Sequence, residues 1–174
     1  MTIAPVRPET STVDADLFRR LLRHHAASAV VITAAGAPPA GFTATSFTSV
    51  SLDPPLVSFS LSRTASAWRT VEHARTVAVH VLGREHEHVA RTFATSGIDR
   101  FAAGVPWEPG PDGVPLLHGV PARLICRVTD RIAAGDHTIV LAAPVAGQHT
   151  DNELAPPLVY HAGRYGTLHH GGHR

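Results

Sequence analysis

Between Thr43 and Ser51 the sequence places six hydroxyl side chains, Thr43, Thr45, Ser46, Thr48, Ser49 and Ser51, and no charge. Hydroxyls both donate and accept hydrogen bonds, so this stretch could line a polar, uncharged ligand while keeping a strand backbone. The same composition also suits an ordinary strand with one wet face. A second candidate is Gly135-Asp136-His137. Gly-Asp is turn chemistry, and the imidazole that follows it can be held over a ligand or can simply begin a strand. Histidine is in excess, at thirteen residues, which makes a metal site worth testing. Glu85-His86-Glu87-His88 fails that test: the residue four after His86 is Ala90, and His86 and His88 would leave a helix on different sides. His24-His25 and His169-His170 are adjacent pairs with no spaced third ligand. No metal is expected, and these histidines are read as exposed helix and tail residues. Cys126 lies in an apolar run and reads as a core thiol. No Gly-x-Ser-x-Gly elbow, phosphate loop or dinucleotide glycine fingerprint occurs.

The elements that must position these groups follow from periodicity and punctuation. Asp14 reads as an N-cap, with Leu17, Phe18, Leu21 and Leu22 at helical spacing behind it. Ala29 to Thr33 is a buried strand, and the Gly36 to Gly41 turn leads into the hydroxyl-rich stretch, which Asp53-Pro54-Pro55 stops. Leu56 to Ser62 alternates apolar and hydroxyl residues, so one face is greasy and the other is lined by Ser58, Ser60 and Ser62. A short helix is expected over 65–73, a strand over 76–82 and a helix over 85–95. Ser96 to Gly119 is rich in Gly and Pro yet carries Phe101, Trp107, Leu116 and Leu117, so it is expected to be a loop packed down on the core. Two long strands, 121–132 and 138–145, flank the Gly135-Asp136-His137 tip, and short strands follow near Leu158 and Tyr165. Strands do not alternate regularly with crossover helices, which argues against a doubly wound sheet. A closed or nearly closed antiparallel barrel with outer helices fits better.

At 174 residues the chain suits one domain, expected over 14–168 between a loose arm at 1–13 and a tail at 169–174. Its formal charge of +1 and the lack of a basic run exclude a nucleic-acid surface. A single cysteine excludes a disulfide framework. No apolar run reaches the roughly 18 residues of a membrane span, and no leader pattern opens the chain, so a cytoplasmic protein is expected.

Taken together, Gly41-Phe42-Thr43-Ala44-Thr45-Ser46-Phe47-Thr48-Ser49-Val50-Ser51 with Pro54-Pro55, Ser60-Leu61-Ser62-Arg63-Thr64-Ala65-Ser66, Arg100-Phe101 and Gly135-Asp136-His137 follow an order seen in one family. The sequence resembles the small flavin reductases of two-component monooxygenase systems, from about Leu17 to Leu168. That resemblance implies a mainly β, split β-barrel with flanking helices that dimerises, with FAD or FMN near the subunit interface. It implies reduction of the flavin by NADH, or by NADPH, and release of reduced flavin to a flavin-dependent monooxygenase. By the same resemblance, Thr43, Ala44, Thr45 and Ser46 would lie along the ribityl and phosphate. Ser49, Val50 and Ser51 would border the isoalloxazine, with further contacts from Ser60, Leu61, Ser62 and Ser66. Arg100 and Phe101 would close over the phosphate end, and His137 would stand beside the nicotinamide with Tyr165 nearby. The chain departs from its relatives in carrying Arg100 and Ser62 where Lys or Asn is frequent. Two rivals stay open here: a non-catalytic flavin- or haem-binding barrel, and an oxidase of the pyridoxamine-phosphate type. The latter should gather basic residues around a substrate phosphate, and the motifs supply few.

Overall fold

The computed structural model describes residues 12–150 and 155–168. The expected arm and tail fall outside these residues, save Thr12 and Val13, which are exposed and belong to no element. Asp14 caps helix α1 (Ala15–Leu22), its Oδ1 accepting the backbone N–H of Asp16 at 3.0 Å and of Leu17 at 2.8 Å. Among the described residues the apolar stripe of α1 stays largely uncovered, and Phe18, Leu21 and Leu22 are each more than half exposed. Strands β1 (Ala27–Ser28), β2 (Val30–Ala34) and β3 (Ala40–Ala44) follow. The hydroxyl-rich stretch, expected as one strand, is broken at Thr45–Phe47, and β4 (Thr48–Leu52) resumes beyond it.

β5 (Pro55–Ser62) alternates as its sequence requires: Val57, Phe59 and Leu61 are buried, and Ser58, Ser60 and Ser62 face outward, half-buried. Helix α2 (Trp68–Val71) is a single turn, shorter than expected, flanked by turns on both sides, and the Arg131 guanidinium binds the carbonyls of Val71 at its end and Ala74 beyond it. Strand β6 (Thr76–Val81) and helix α3 (Glu87–Ala94) come next. The segment expected as a packed loop does pack, but it also forms a hairpin of β7 (Trp107–Pro109) and β8 (Pro115–Leu117). The long strands β9 (Ala122–Ala134) and β10 (His137–His149), then β11 (Leu158–His161) and β12 (Arg164–Thr167), complete the chain.

Seven strands form one antiparallel sheet in the order β3-β2-β6-β9-β10-β5-β4, and β1, β11 and β12 form a second. The two edge strands of the large sheet, β3 and β4, are consecutive in sequence and joined only by Thr45–Phe47. So short a link can span opposite edges only if the sheet curls round until they meet. No ladder joins them; the structure is a barrel with a seam. Its interior holds Ile32, Phe42, Phe59, Val79, Cys126 and Val140. On its outside Val31, Val89, Phe93 and Leu158 form a second core, so β2 is buried on both faces. Among the described residues no helix is long and apolar enough to cross a membrane, and no group of three metal-ligating side chains occurs.

Not all the histidines are exposed. His86 is buried, and His80 on β6 is completely so. His80 Nδ1 lies 3.1 Å from the Val31 carbonyl, and its Nε2 accepts the Leu117 N–H at 3.0 Å. Both bonds are satisfied by the neutral ring with its proton on Nδ1, tying β6 to β2 and to the β8 hairpin. Burial, ahead of the opposing bond to Val31 and the nearby Arg123, lowers the His80 pKa to about 4. The folded imidazole thus stays neutral down to about pH 4 whereas the unfolded one protonates near 6.5, so its stability contribution is full above pH 6.5 and drains as pH falls toward 4. Urea unfolding of the wild type and of His80→Leu at pH 7 and pH 5 should show this. The wild type should lose about 2 kcal/mol more than the variant on acidification.

Candidate functional site

The seam is closed by one side chain. Ser46, in the link between β3 and β4, accepts the Ser60 N–H through Oγ at 2.9 Å and donates to the Ser60 carbonyl at 3.2 Å. A serine thus occupies the place of a missing ladder residue on β5. Around it, β4 is a sheet edge with its outer backbone groups unpaired by any strand, and a register shift between Ser49 and Ser51 leaves Val50 out of the pairing, half exposed. The hydroxyls of Thr45, Ser49, Ser51 and Ser60 make no side-chain hydrogen bond among the described residues. Thr43, by contrast, gives its proton to the Ala90 carbonyl on α3 at 2.6 Å. Ala44 and Leu61 point into the core and can offer a ligand only backbone groups.

The β9–β10 tip stands at the end of this face, where His137 pairs directly with Ser62 across β10 and β5. Gly135 at the turn has φ +61°, a conformation that favours glycine. His137 Nδ1 lies 2.7 Å from Asp136 Oδ1. That bond, more than any other cause, holds the Asp136 carboxyl below its ordinary value. Asp136 is therefore an ionised acceptor at neutral pH, Nδ1 carries the proton, and Nε2 is the ring atom left for a ligand. Arg63 fixes the tip: Nη1 donates to the His137 carbonyl at 3.0 Å, Nη2 to the Gly135 carbonyl, and its own N–H to the Asp136 carbonyl at 3.1 Å. Sequence reasoning gave Arg63 no role. A basic residue just past the serine-lined strand was the only available sign.

Four residues beyond Ser62, Ser66 opens a cleft of about 710 Å³ lined by Gly41, Arg100, Phe101 and Trp107 among others. Arg100 donates through Nε to the Thr95 carbonyl and through Nη1 to the Gly41 carbonyl, both at 2.9 Å, and reaches Ser66 Oγ at 3.5 Å. No carboxylate pairs with it among the described residues. Partial burial lowers its pKa, yet a guanidinium starts so high that it stays charged. Phe101 stacks edge-on against Phe93 at 5.4 Å and against Trp107 at 5.3 Å. Gly41 permits this packing, since a Cβ there would lie 2.8 Å from Phe93 Cδ1 and 3.1 Å from Phe101 Cζ. The structure thus sets Ser46 beside Ser60 and His137 beside Ser62 on the β5 edge, and gathers Ser66, Arg100 and Phe101 in the cleft. Tyr165 stands apart on β12, edge-on to Tyr160 at 5.1 Å and under the Arg91 guanidinium at 5.2 Å.

Residues 22–169 match the family model of the flavin reductase like domain, and the chain belongs to that family. An NADH:FMN oxidoreductase of Rhodococcus erythropolis is 43% identical over 162 residues, covering 91% of this chain and 84% of that protein. The reductase subunit HsaB of a flavin-dependent monooxygenase from Mycobacterium tuberculosis is 30% identical, covering 90% and 83%. Among solved structures, the Streptomyces globisporus NADH:FAD oxidoreductase SgcE6 in complex with NAD and FAD fragments superposes with a TM-score of 0.82 at 32% identity, covering 92% of this chain and 98% of that one. A flavin has a planar ring with a polar edge and an anionic tail. Unspent hydroxyls and an unpaired strand edge suit the ring, and an unpaired guanidinium suits the phosphate, so the groups present fit it.

Replacing Arg63 with Ala should free the tip without unfolding the barrel, because its side chain bonds only to the tip's carbonyls. Amide hydrogen exchange at residues 135–137 should speed up by about tenfold or more, with the β2 and β6 amides unchanged.

Proposed function

We propose that the protein is an NAD(P)H:flavin oxidoreductase, with NADH the principal donor, that reduces FAD or FMN and hands reduced flavin to a separate flavin-dependent monooxygenase. The observation that carries the reading is the uncharged, hydroxyl-lined track between the β4 edge and β5, with a rigidly held imidazole beside Ser62 and, past the end of β5, a guanidinium with no carboxylate partner among the described residues. When bound, the flavin supplies the acceptor for a hydride from the dihydronicotinamide. Such a transfer needs no strong acid or base from the protein, only reactants held in near-contact at about 3 to 3.5 Å with water excluded. A track poor in charge meets that need.

In this reading Ser49, Val50 and Ser51 border the ring, and Ser60 and Ser62 meet it from β5. The ribityl chain and phosphate run past Thr45 and the backbones of Thr43, Ala44 and Ser46 toward Ser66, Arg100 and Phe101, with Leu61 contributing backbone alone. His137 borders the nicotinamide, presenting Nε2 to it, while Asp136 and Arg63 fix its angle. The cytoplasm is the proposed setting, since the reductant is drawn from that compartment's coenzyme pool.

The chain is also proposed to work as a homodimer. Three exposed apolar side chains on α1, together with Val50 and Leu52 on β4, Ile132 on β9 and Val145 on β10, give a greasy surface that a second copy could cover. Size-exclusion chromatography with light scattering should return twice the mass of one chain; a monomer at micromolar concentration would refute the dimer.

Purified protein should oxidise NADH many times faster when FAD or FMN is added, and an equal rate without flavin would sink the proposal. His137→Ala should raise the KM for NADH about tenfold and shift the flavin dissociation constant much less. Equal losses on both would contradict the placement.

A further inference from the structure

The cleft beyond Arg100 is larger than a flavin phosphate requires. Its volume of about 710 Å³ lies within the range of small-molecule sites. One wall is aromatic and held still: Trp107 Nε1 donates to the Phe101 carbonyl at 3.3 Å, and the Phe93–Phe101–Trp107 ladder roots that wall in the core. Ile98, nearly half exposed, faces the same space. Asp99 Oδ1 accepts the N–H groups of Phe101 at 3.0 Å and Ala102 at 3.1 Å, so the loop that carries the wall is preformed. At the mouth, the Arg100 Nη2 donates to no protein acceptor among the described residues, leaving two N–H groups and a full charge. A rigid indole beside a free guanidinium is the chemistry that receives a flat heterocycle linked to phosphate.

We propose that this cleft is a subsite for an adenosine 5′-diphosphate group, the base lying against Trp107 and Ile98 and the diphosphate on Arg100. It rests on the reductase reading, under which two reactants carry that group, FAD and the nicotinamide coenzyme. FMN lacks it. Ser66, which lines the cleft 3.5 Å from Arg100 Nη1, follows Ser62 of β5 by four residues, so under this proposal a dinucleotide whose ring lies along β4 and β5 extends its far half into the cleft. Trp107 is thus a specificity-determining residue: it adds affinity for an adenylylated reactant and none for its truncated form.

The chain has two tryptophans, so Trp68→Phe leaves Trp107 as its only indole. ADP titrated into that variant should quench the remaining fluorescence saturably, and riboflavin-free inorganic phosphate at equal concentration should not. This readout needs neither turnover nor flavin. In steady state, Trp107→Ala should then show one of two patterns, while Trp107→Phe keeps wild-type constants within a few-fold. If FAD is the source, its KM rises about tenfold and that of FMN is unchanged. If the coenzyme is the source, the KM for NADH rises about tenfold with FMN as acceptor, and that for reduced nicotinamide mononucleotide does not. Absence of quenching by ADP overturns the proposal, and so does quenching with neither KM moved. Absence of NADH oxidation by the wild type with either flavin would instead defeat the reductase reading, leaving the ADP titration to stand by itself.

Discussion

The constraint that orders this molecule is a covalent one. β3 and β4 are opposite edges of a seven-stranded sheet, and only Thr45–Phe47 lies between them. The sheet must therefore roll up, and the last pair of strands cannot form a ladder because the chain is turning there. Ser46 relieves the resulting deficit by satisfying both backbone groups of Ser60. One hydroxyl at the seam thus does the work of a strand residue. Everything proposed for the site follows the line of that seam. An edge strand is ordinarily a liability, because its free N–H and C=O groups invite another chain; in the proposed reading those groups serve a polar ring instead.

The site's economy of charge follows from the same geometry. Along β5 the outward side chains are serines, and the basic groups gather past its Ser62 end. Asp136 is the acid beside it, and its carboxylate is spent on His137 Nδ1. A buried carboxylate facing the ring would demand a partner or a proton; hydroxyls ask for neither. The arrangement is suited to positioning rather than proton transfer, which separates it from sites built around a shifted acid or base.

Much of this was legible in the sequence. The Asp14 cap, the two-faced β5, the double-proline stop and the Gly-Asp-His tip all follow from local rules that the fold had no reason to override. What could not be read was decided at a distance. Nothing in Thr45-Ser46-Phe47 signals a break, since it holds neither Gly nor Pro; the break is imposed by closure of the sheet. Thr43 carries the same hydroxyl as Thr45, yet α3 packs over it and takes its proton. His80 sits in a strand among valines, and its role as a neutral tie depends on a carbonyl 49 positions away and an amide 37 away. The helix expected over 65–73 is one turn, and its last carbonyl, Val71, is bound by Arg131, 60 residues away. Propensity sees none of these partners.

Arg131 belongs to a pattern that bears on the site. Arg63, Arg100 and Arg131 each bind two backbone carbonyls, and none of them pairs with a carboxylate among the described residues. A guanidinium is planar, with five donors in a fixed fork, so it can bridge two carbonyls as a rigid brace where an ammonium would act as a point charge. Bracing with carbonyls rather than acids has a second effect: the carbonyl dipoles hold the group in place without cancelling its charge. At Arg131 that charge has no evident use. Arg63 and Arg100 both lie past the Ser62 end of the hydroxyl track, so the same bonds that fix the backbone also leave a positive potential where an anionic ligand would lie. Structural bracing and ligand attraction are then one arrangement. That is why a chain with a formal charge of only +1 can still present a local cationic group to a phosphate-bearing reactant.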